Sequence, residues 1–131
     1  MIFEKVFDDE ILEIEFPMSV RKVYANPLVN ENSGKVAFTY GPLVLCAESI
    51  DNQFDLSAVT ISSKQNAKVK ILDNSQYVLS VSIPVNYSVP SDKLYSFDVP
   101  KTEKKILKFI PYFAWNNRGI GNMKVWFSVN F

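Results

Sequence analysis

The sequence predicts an all-β fold, an antiparallel β-sandwich with a jelly-roll-like arrangement of strands. Apolar residues recur at every second position in about nine or ten short segments, and Gly, Pro or Asn separates these segments at regular spacing. The length of 131 residues fits one domain with a single core, and 47% hydrophobic residues are enough to fill that core. Only residues 54–58 favour even one helical turn.

The first half of the chain contains four predicted strands. The alternation over Ile11–Phe16 ends at Pro17. Gly41-Pro42 predicts a bulge or a change of strand partner, because proline lacks a ladder donor and glycine permits unusual backbone angles. The four predicted strands are Ile11–Phe16, Met18–Tyr24, Lys35–Tyr40 and Leu43–Ala47.

The second half contains five predicted strands with defined bounds. Pro84 is expected to end the third of them, and a long irregular loop followed by a further short strand is expected over Asn86–Pro100. The last strand is expected to be central in its sheet, because its odd-numbered residues are all apolar. The five strands are Val59–Ser62, Lys68–Leu72, Tyr77–Ile83, Lys104–Pro111 and Met123–Phe131.

Composition excludes several classes of partner. Fourteen acidic residues balance fourteen basic ones, so the attraction behind nonspecific nucleic-acid binding is missing. No apolar run of about 18 residues occurs, and the acidic N-terminus lacks the basic start of a signal peptide. We therefore expect a soluble chain with no nucleic-acid partner, no membrane partner and no signal peptide, and its localisation is left open.

The sequence offers few catalytic groups. It contains no histidine, which removes the commonest general base and most zinc sites, and it has no glycine-rich phosphate loop. Without a histidine to activate it, the single cysteine, Cys46, is predicted to be a buried core residue. Gly119 and Gly121 are predicted to be turn glycines at positive backbone angles. No catalytic residue, metal site or cofactor is predicted.

Two groups of carboxylates are candidates for the acid and base of a glycosidase. The first group belongs to the charged outer side of the first predicted strand and consists of Asp8, Asp9, Glu10, Glu13 and Glu15. The second group, Glu48, Asp51 and Asp55, follows an apolar strand and is suited to a cation or to sugar hydroxyls. Solvent exposure is the usual fate of acidic residues, and we expect it for both groups.

The segment PYFAWNNRG, residues 111–119, supports two interpretations. As a sugar site, its rings would stack on sugar faces while amide and guanidinium groups bind hydroxyls. As a tight corner, Trp115 would plug the core and Arg118 would pair with a carboxylate or with carbonyls, while one of the two asparagines caps backbone groups. We favour the corner, because aromatic rings in a small β-domain are usually buried. The candidate carbohydrate-binding residues are Tyr112, Trp115, Asn116, Asn117 and Arg118.

Three blocks of the sequence carry a resemblance to a known family. They are FPMSVRKVYANP at Phe16–Pro27, GKVAFTYGPLVLCAESID at Gly34–Asp51 and PYFAWNNRGIGNMKVWF at Pro111–Phe127. Together they resemble the C-terminal β-sandwich region of glycoside hydrolase family 127, the β-L-arabinofuranosidase-like enzymes. In those enzymes the catalytic cysteine, its zinc-binding cysteine and glutamate partners and the acid belong to an upstream (α/α)6 barrel. The resemblance therefore implies that Cys46 is not the catalytic cysteine.

The resemblance implies a noncatalytic accessory domain whose partner is the catalytic barrel domain of the same full-length enzyme, and whose role is structural support or oligomerisation. A carbohydrate-binding module for arabinose-containing glycans is the alternative. A small free-standing enzyme that uses Glu48 and Asp51 is a third hypothesis.

A domain boundary also follows from the resemblance. Residues 1–131 would form a single β-sandwich domain, with about 1–25 belonging to a preceding sandwich of the full-length enzyme. Leu12, Ile14 and Phe16 would then lack the sheet that they normally cover. An uncovered edge of this kind predicts a homodimer formed through exposed strands.

Overall fold

The structure, a computed structural model, describes residues 2–7, 10–15, 18–71 and 79–131. This part of the chain is all-β and contains three short 3-10 turns but no α-helix, which confirms the predicted class. The turn at Leu56–Ala58 lies inside the segment that favoured a helical turn. Among the described residues no helix is long and apolar enough to cross a membrane.

The strands follow the apolar alternation closely. The predicted bounds of the strands at Lys35–Tyr40 and Val59–Ser62 agree with the structure residue for residue. In chain order the strands are β1 (Ile2–Phe7), β2 (Glu10–Glu15), β3 (Val20–Tyr24), β4 (Lys35–Tyr40), β5 (Leu43–Glu48), β6 (Val59–Ser62), β7 (Lys68–Ile71), β8 (Leu79–Ser88), β9 (Thr102–Pro111), β10 (Met123–Lys124) and β11 (Phe127–Asn130).

Strands β1 and β2 form a two-stranded sheet of their own. Their antiparallel pairs run from Ile2↔Glu15 to Phe7↔Glu10, and neither strand pairs with the larger sheet in the described part of the chain. β1 was not predicted, because its apolar residues at positions 2, 3, 6 and 7 do not alternate. Some expectations lie outside the described residues, namely those for Asp8, Asp9, Phe16, Pro17, Leu72 and Tyr77 and for the side chains of Glu10, Leu12, Glu13, Ile14 and Glu15.

Six strands close into a barrel in the order β4, β5, β9, β8, β6, β11 and back to β4. Neighbouring strands are antiparallel, except that β11 and β6 are parallel. β3, β10 and β7 extend this sheet beside β4, β5 and β8 respectively. The predicted jelly-roll-like sandwich is therefore corrected to a closed barrel with extra strands. Apolar alternation is the same in both architectures, so it does not reveal whether the outer strands of a sheet pair with each other.

The barrel closes beside Gly41-Pro42. The pair Tyr40↔Leu43 makes these two residues the loop of a tight hairpin, and Gly41 has a φ of +55°. A two-residue hairpin with positive φ at its first loop position favours glycine there. The predicted bulge is wrong. A change of partner does occur, but inside β5, which leaves β4 after two pairs and continues along β9.

Pro84 does not end its strand. β8 continues to Ser88, so the loop that follows begins later than predicted and covers residues 89–101, and the short strand predicted at the end of this loop is absent from it. β8 pairs with β7 up to Ser82 and with β6 from Asn86 onward. Pro84 lies between the part of β8 that pairs with β7 and the part that pairs with β6. In the described part of the chain no strand pairs with β8 on this side at Pro84, so the missing N–H of proline does not cost a ladder hydrogen bond there.

The C-terminal strand is divided at residues 125–126. β10 is antiparallel to β5, and β11 is antiparallel to β4. Because β4 and β5 themselves run in opposite directions, one straight strand cannot be antiparallel to both, and the chain changes direction between them. β11 has β4 on one side and β6 on the other, so the predicted central position holds for this part of the strand, whereas β10 is an end strand beside β5.

Three aromatic rings lie at the centre of the barrel. Phe38, Phe109 and Phe127 are fully buried. The ring centroids of Phe38 and Phe109 are 5.0 Å apart, and those of Phe109 and Phe127 are 5.6 Å apart with edge-to-face geometry. Aliphatic side chains from β4, β5, β6, β8 and β9 surround the rings, so one core joins all sides of the barrel.

Candidate functional site at the aromatic turn

The aromatic turn, residues 111–122, follows β9 and rests on a small core of its own. It begins with a 3-10 turn at Tyr112–Ala114. Ala114 is fully buried and forms a cluster with Cys46 of β5 and Ile110 of β9. The turn is therefore fastened to two neighbouring barrel strands.

Trp115 does not plug the core. Its side chain is 36% exposed, and the small Ala114 occupies the buried position instead. Tyr112 and Phe113 are also exposed, and the ring centroids of Tyr112 and Trp115 are 6.4 Å apart with the planes tilted by 36°. Ala114 is the residue of this turn that points into the core, and the rings next to it face solvent. Removal of the Trp115 side chain is therefore not expected to cause the large loss of stability that removal of a buried tryptophan causes.

The two asparagines are exposed, and one of them sets the backbone path. Asn116 has a φ of +65°, a left-handed conformation that asparagine tolerates better than most residues. Its backbone N–H donates to Oε1 of Glu48 at 3.1 Å. An asparagine side chain was predicted to cap backbone groups. In the structure the carboxylate of Glu48 instead caps the backbone N–H of Asn116. Asn117 is exposed beside it.

Arg118 is the centre of a buried ionic network. Its Nη1 and Nη2 donate to the two carboxylate oxygens of Asp51 at 2.5 and 2.6 Å, in the bidentate geometry that favours strong pairing. Nη2 also lies 3.6 Å from Oε1 of Glu48. The side chains of Arg118, Asp51 and Glu48 are only 20%, 7% and 5% exposed. The predicted pairing of Arg118 with a carboxylate is confirmed.

The second carboxylate group divides in the structure. Glu48 and Asp51 are buried around Arg118, so their predicted solvent exposure is wrong. Asp55 is exposed as predicted and accepts hydrogen bonds from Ser57, which lower the pKa of Asp55. The sequence did not indicate the burial, because the compensating cation lies 67 residues downstream of Asp51. In the described part of the chain no cluster of three His, Cys, Asp or Glu side chains is arranged to hold a metal ion.

Asn52 is a structural residue that the sequence analysis missed. It is almost fully buried, and its amide donates to the carbonyl oxygens of Glu48 and Lys108 at 2.9 and 3.0 Å. Its Oδ1 accepts from the backbone N–H of Lys108 at 2.7 Å. From the sequence alone, a polar residue directly after an acidic turn residue is expected to be exposed to solvent. Here it ties the loop after β5 to strand β9.

The aromatic turn is also clamped to that loop through Ser49. The backbone N–H of Ser49 donates to the carbonyl of Asn122, and the backbone N–H of Asn122 donates to Oγ of Ser49, both at 2.9 Å. A Cβ on Gly121 would lie 2.5 Å from Oγ of Ser49, so glycine is needed there for close approach. Gly119 has a φ of +131°, which confirms its prediction as a turn glycine at a positive backbone angle. Gly121 does not have a positive φ, so the predicted angle is wrong for this glycine.

We expect the thiol of Cys46 to titrate very differently in the folded and unfolded chains. Burial, followed by the negative charges of Glu48 and Asp51, raises the pKa of the Cys46 thiol from 9.0 to about 12. Between these pH values the unfolded thiol loses its proton while the folded thiol keeps it. The free energy of unfolding should therefore fall with rising pH in this window, by up to about 1.4 kcal/mol per pH unit.

Urea unfolding of the natural chain and of a Cys46→Val variant from pH 8 to pH 11 measures this effect. Other titrating groups act equally on both proteins, so the difference between the two curves isolates the thiol. A difference that stays constant with pH would contradict the expected linkage.

Comparison with known proteins shows the family of the chain. The profile of the glycoside hydrolase family 127 C-terminal domain matches residues 20–128. The chain belongs to this family. The resemblance seen in the sequence is confirmed, and the match covers the barrel together with the aromatic turn.

Two kinds of relative support the family assignment. The chain is 37% identical over 123 residues to the non-reducing end β-L-arabinofuranosidase of Bifidobacterium longum subsp. longum, an alignment that covers 87% of this chain and 19% of that enzyme. The crystal structure of a family 127 β-L-arabinofuranosidase from Geobacillus stearothermophilus superposes with a TM-score of 0.83 and 28% identity, covering 95% of this chain and 22% of that one.

A third similar protein is a family 127 β-arabinofuranosidase of known structure. It has a TM-score of 0.79 and 30% identity, and the superposition covers 92% of this chain and 18% of that protein. The family 127 C-terminal domain described here thus spans about a fifth of the length of the relatives that it matches.

Proposed function

We propose that this domain is a noncatalytic accessory part of a β-L-arabinofuranosidase-like glycoside hydrolase, in which it supports the catalytic barrel domain of the same enzyme. The observation that carries the proposal is the buried network around Arg118. Glu48 and Asp51 are two described carboxylates that lie on the same arginine, yet both oxygens of Asp51 accept from that guanidinium and Oε1 of Glu48 accepts from the backbone N–H of Asn116. Carboxylates held in this way stabilise the turn and are not presented to a substrate.

Incubation of the purified chain with β-L-arabinofuranosides tests the absence of catalysis. We expect no release of arabinose above the buffer control. Hydrolysis by the natural chain that disappears in a Glu48→Gln, Asp51→Asn double variant would replace the proposal with the small free-standing enzyme. The same double variant must be checked by circular dichroism, so that loss of activity is not confused with loss of folding.

A carbohydrate-binding module is the alternative, and the outward rings of the aromatic turn favour it. Tyr112 and Trp115 expose two nearby aromatic faces, and Asn116 and Asn117 are exposed beside them. Arg118 is a poor sugar ligand, because its guanidinium is bound to Asp51. Exposed rings with adjacent amides are the residue types that sugar recognition uses.

Calorimetric titration with arabinose-containing oligosaccharides tests this alternative. Binding that is lost in Tyr112→Ala but retained in the control Tyr95→Ala, where the ring is also exposed, would favour the sugar-binding role. Absence of heat at millimolar ligand would favour structural support.

We also propose that residues 1–25 belong in part to a preceding sandwich. The separate pairing of β1 with β2 and the start of the family match at residue 20 support this boundary. A chain shortened to begin at Met18 is expected to keep the thermal midpoint of the natural chain to within a few degrees, because the barrel strands are intact in it. A large drop in the midpoint would move the boundary upstream.

Self-association through exposed strands is the third proposed property. β3 is an end strand of the large sheet, and Val23 and Tyr24 on it are partly exposed. Edge strands with apolar side chains pair readily with other chains, and a lysine on the edge suppresses such pairing. We expect sedimentation equilibrium to detect dimers of the natural chain that Val23→Lys weakens. A monomer at all concentrations would count against the proposal.

A further inference from the structure

The two ends of the barrel carry different exposed apolar surfaces. Pairing of β5 with β9 brings Leu45 next to Pro111, at the start of the aromatic turn. The β4–β5 hairpin and the pair Val20↔Tyr40 bring the start of β3 to the same end. The loop at residues 89–101 follows the pair Ser88↔Thr102, at the other end of β9. Ten extended residues separate these ends by roughly 30 Å.

The end that carries the aromatic turn presents what we call the turn surface, defined by Val44, Tyr112, Phe113 and Trp115. Their exposed fractions are 44%, 45%, 61% and 36%. Val44 precedes Leu45, which pairs with Pro111, so continuing this register by one position places Val44 at the barrel end where Tyr112 begins the turn. Clustered exposed apolar side chains, unlike scattered ones, indicate a surface that another element covers.

The turn surface is held rigidly from below. Ala114 is packed into the barrel wall, Arg118 is fixed by Asp51 and Glu48, and Asn122 is clamped to Ser49. A surface that is already ordered loses little conformational entropy when a partner covers it. The charged side chains of the network are only 20%, 7% and 5% exposed, so a partner that covers the exposed rings would desolvate mainly apolar atoms.

We infer that the part of the same enzyme that directly precedes this domain packs on the turn surface, an inference that rests on the proposed accessory function. The matched family is a C-terminal domain, and about four-fifths of the similar enzymes lies outside the match and precedes it. That upstream part reaches the barrel at Ser19 and Val20. The carbonyl of Ser19 accepts a hydrogen bond from the N–H of Gly41 at 3.2 Å, at the barrel end that carries the turn surface.

The loop at residues 89–101 is an internal control for this inference. Leu94, Tyr95, Phe97 and Val99 are at least 90% exposed, so exposure alone would favour this loop as the docking surface. It lies at the barrel end remote from Ser19, however, and nothing in the described residues says what covers it. The two surfaces therefore give opposite expectations in one experiment.

The experiment uses the Bifidobacterium longum enzyme with its matching C-terminal fifth replaced by this chain. Hydroxyl-radical labelling is measured at Tyr112, Phe113 and Trp115, and at Tyr95 and Phe97, in this chimera and in the free chain. Labelling follows accessible side-chain area, so we expect a drop of about fivefold at the turn residues on burial in an interface core. Tyr95 and Phe97 should label equally in both proteins.

Three outcomes would overturn the inference. They are equal labelling of the turn residues in both proteins, protection of Tyr95 and Phe97 in place of the turn residues, and protection of the turn residues in the free chain by an arabinose-containing oligosaccharide. If the chimera does not fold, the labelling is repeated on this chain mixed with the upstream part of the Bifidobacterium longum enzyme.

Matched variants give an independent readout. Phe113→Ser should lower the thermal midpoint of the chimera but hardly change that of the free chain, whereas Phe97→Ser should change neither. Equal effects of the two variants in the chimera would contradict docking at the turn surface. The accessory function itself fails by a different result, namely hydrolysis by the free chain, so the two failures are distinguishable.

Discussion

Replacing Arg118 with methionine is expected to lower the free energy of unfolding by about 3–5 kcal/mol, because it removes the bidentate partner of Asp51 and the guanidinium beside Glu48. Nζ of Lys108, 3.8 Å from Oδ1 of Asp51, compensates part of this loss. Asp51 and Glu48 are almost fully buried, and Arg118 provides the bidentate bond to the first and lies close to the second. Methionine keeps much of the volume, so the effect reports the charge more than a cavity. Urea unfolding followed by circular dichroism measures it.

The Lys105→Met variant is the matched control for this prediction. Lys105 also pairs with a carboxylate, that of Glu103 at 3.6 Å, but the side chains of this pair are 38% and 58% exposed, and the ammonium lies 5.7 Å from the centroid of the Tyr87 ring. A solvent-accessible ion pair contributes about 0–1 kcal/mol and an exposed cation–π contact about 0.5–1 kcal/mol, so this variant should cost less than about 2 kcal/mol. Adding Glu48→Gln and Asp51→Asn to Arg118→Met should recover part of the lost stability. Equal effects of Arg118→Met and Lys105→Met would show that the network does not stabilise the turn.

Phe109→Ala is expected to destabilise the chain by about 3–5 kcal/mol, because it removes the ring that links the other two core phenylalanines. Phe109 packs on both Phe38 and Phe127 at the barrel centre. A domain of this size has a total stability of about 5–15 kcal/mol, so the variant should be partly unfolded at moderate temperature. Differential scanning calorimetry gives the midpoint and the fraction folded.

Phe113→Ala is the control with the same chemical change at an exposed position. The ring of Phe113 is mostly in solvent, so in the free chain its removal should cost less than about 1 kcal/mol. The two phenylalanines are four positions apart in the sequence, on either side of the end of β9. A similar loss of stability in both variants would mean that the barrel core is not organised as described.

The structure changes how the aromatic turn relates to function. In sequence, rings, amides and an arginine together are typical of sugar binding. In the structure the arginine is used internally, and only the rings and amides remain at the surface. A supporting domain needs a surface of this kind to contact its enzyme, and a sugar-binding module needs the same rings free. The labelling experiment therefore addresses both hypotheses at once.

Local pattern was sufficient to locate most of the barrel strands. β4 and β6 were predicted to the residue, because alternating side chains on a half-buried strand leave a two-residue period. The two-residue period gave the wrong strand ends in two places. At Pro84 the period is interrupted but the strand continues. At residues 125–126 the apolar period continues but the chain changes direction and the strand is divided. In both places the neighbouring strands decide the outcome, and the local sequence does not describe them.

Residue types and their near neighbours were sufficient to predict the all-β class, the positions of most strands, the burial of Cys46, the turn role of Gly119 and the family. The closure of the sheet into a barrel, the contact of Arg118 with Asp51 and the outward position of Trp115 became known from the three-dimensional fold. These three outcomes depend on contacts between distant segments, and residue types alone do not specify which distant segments meet.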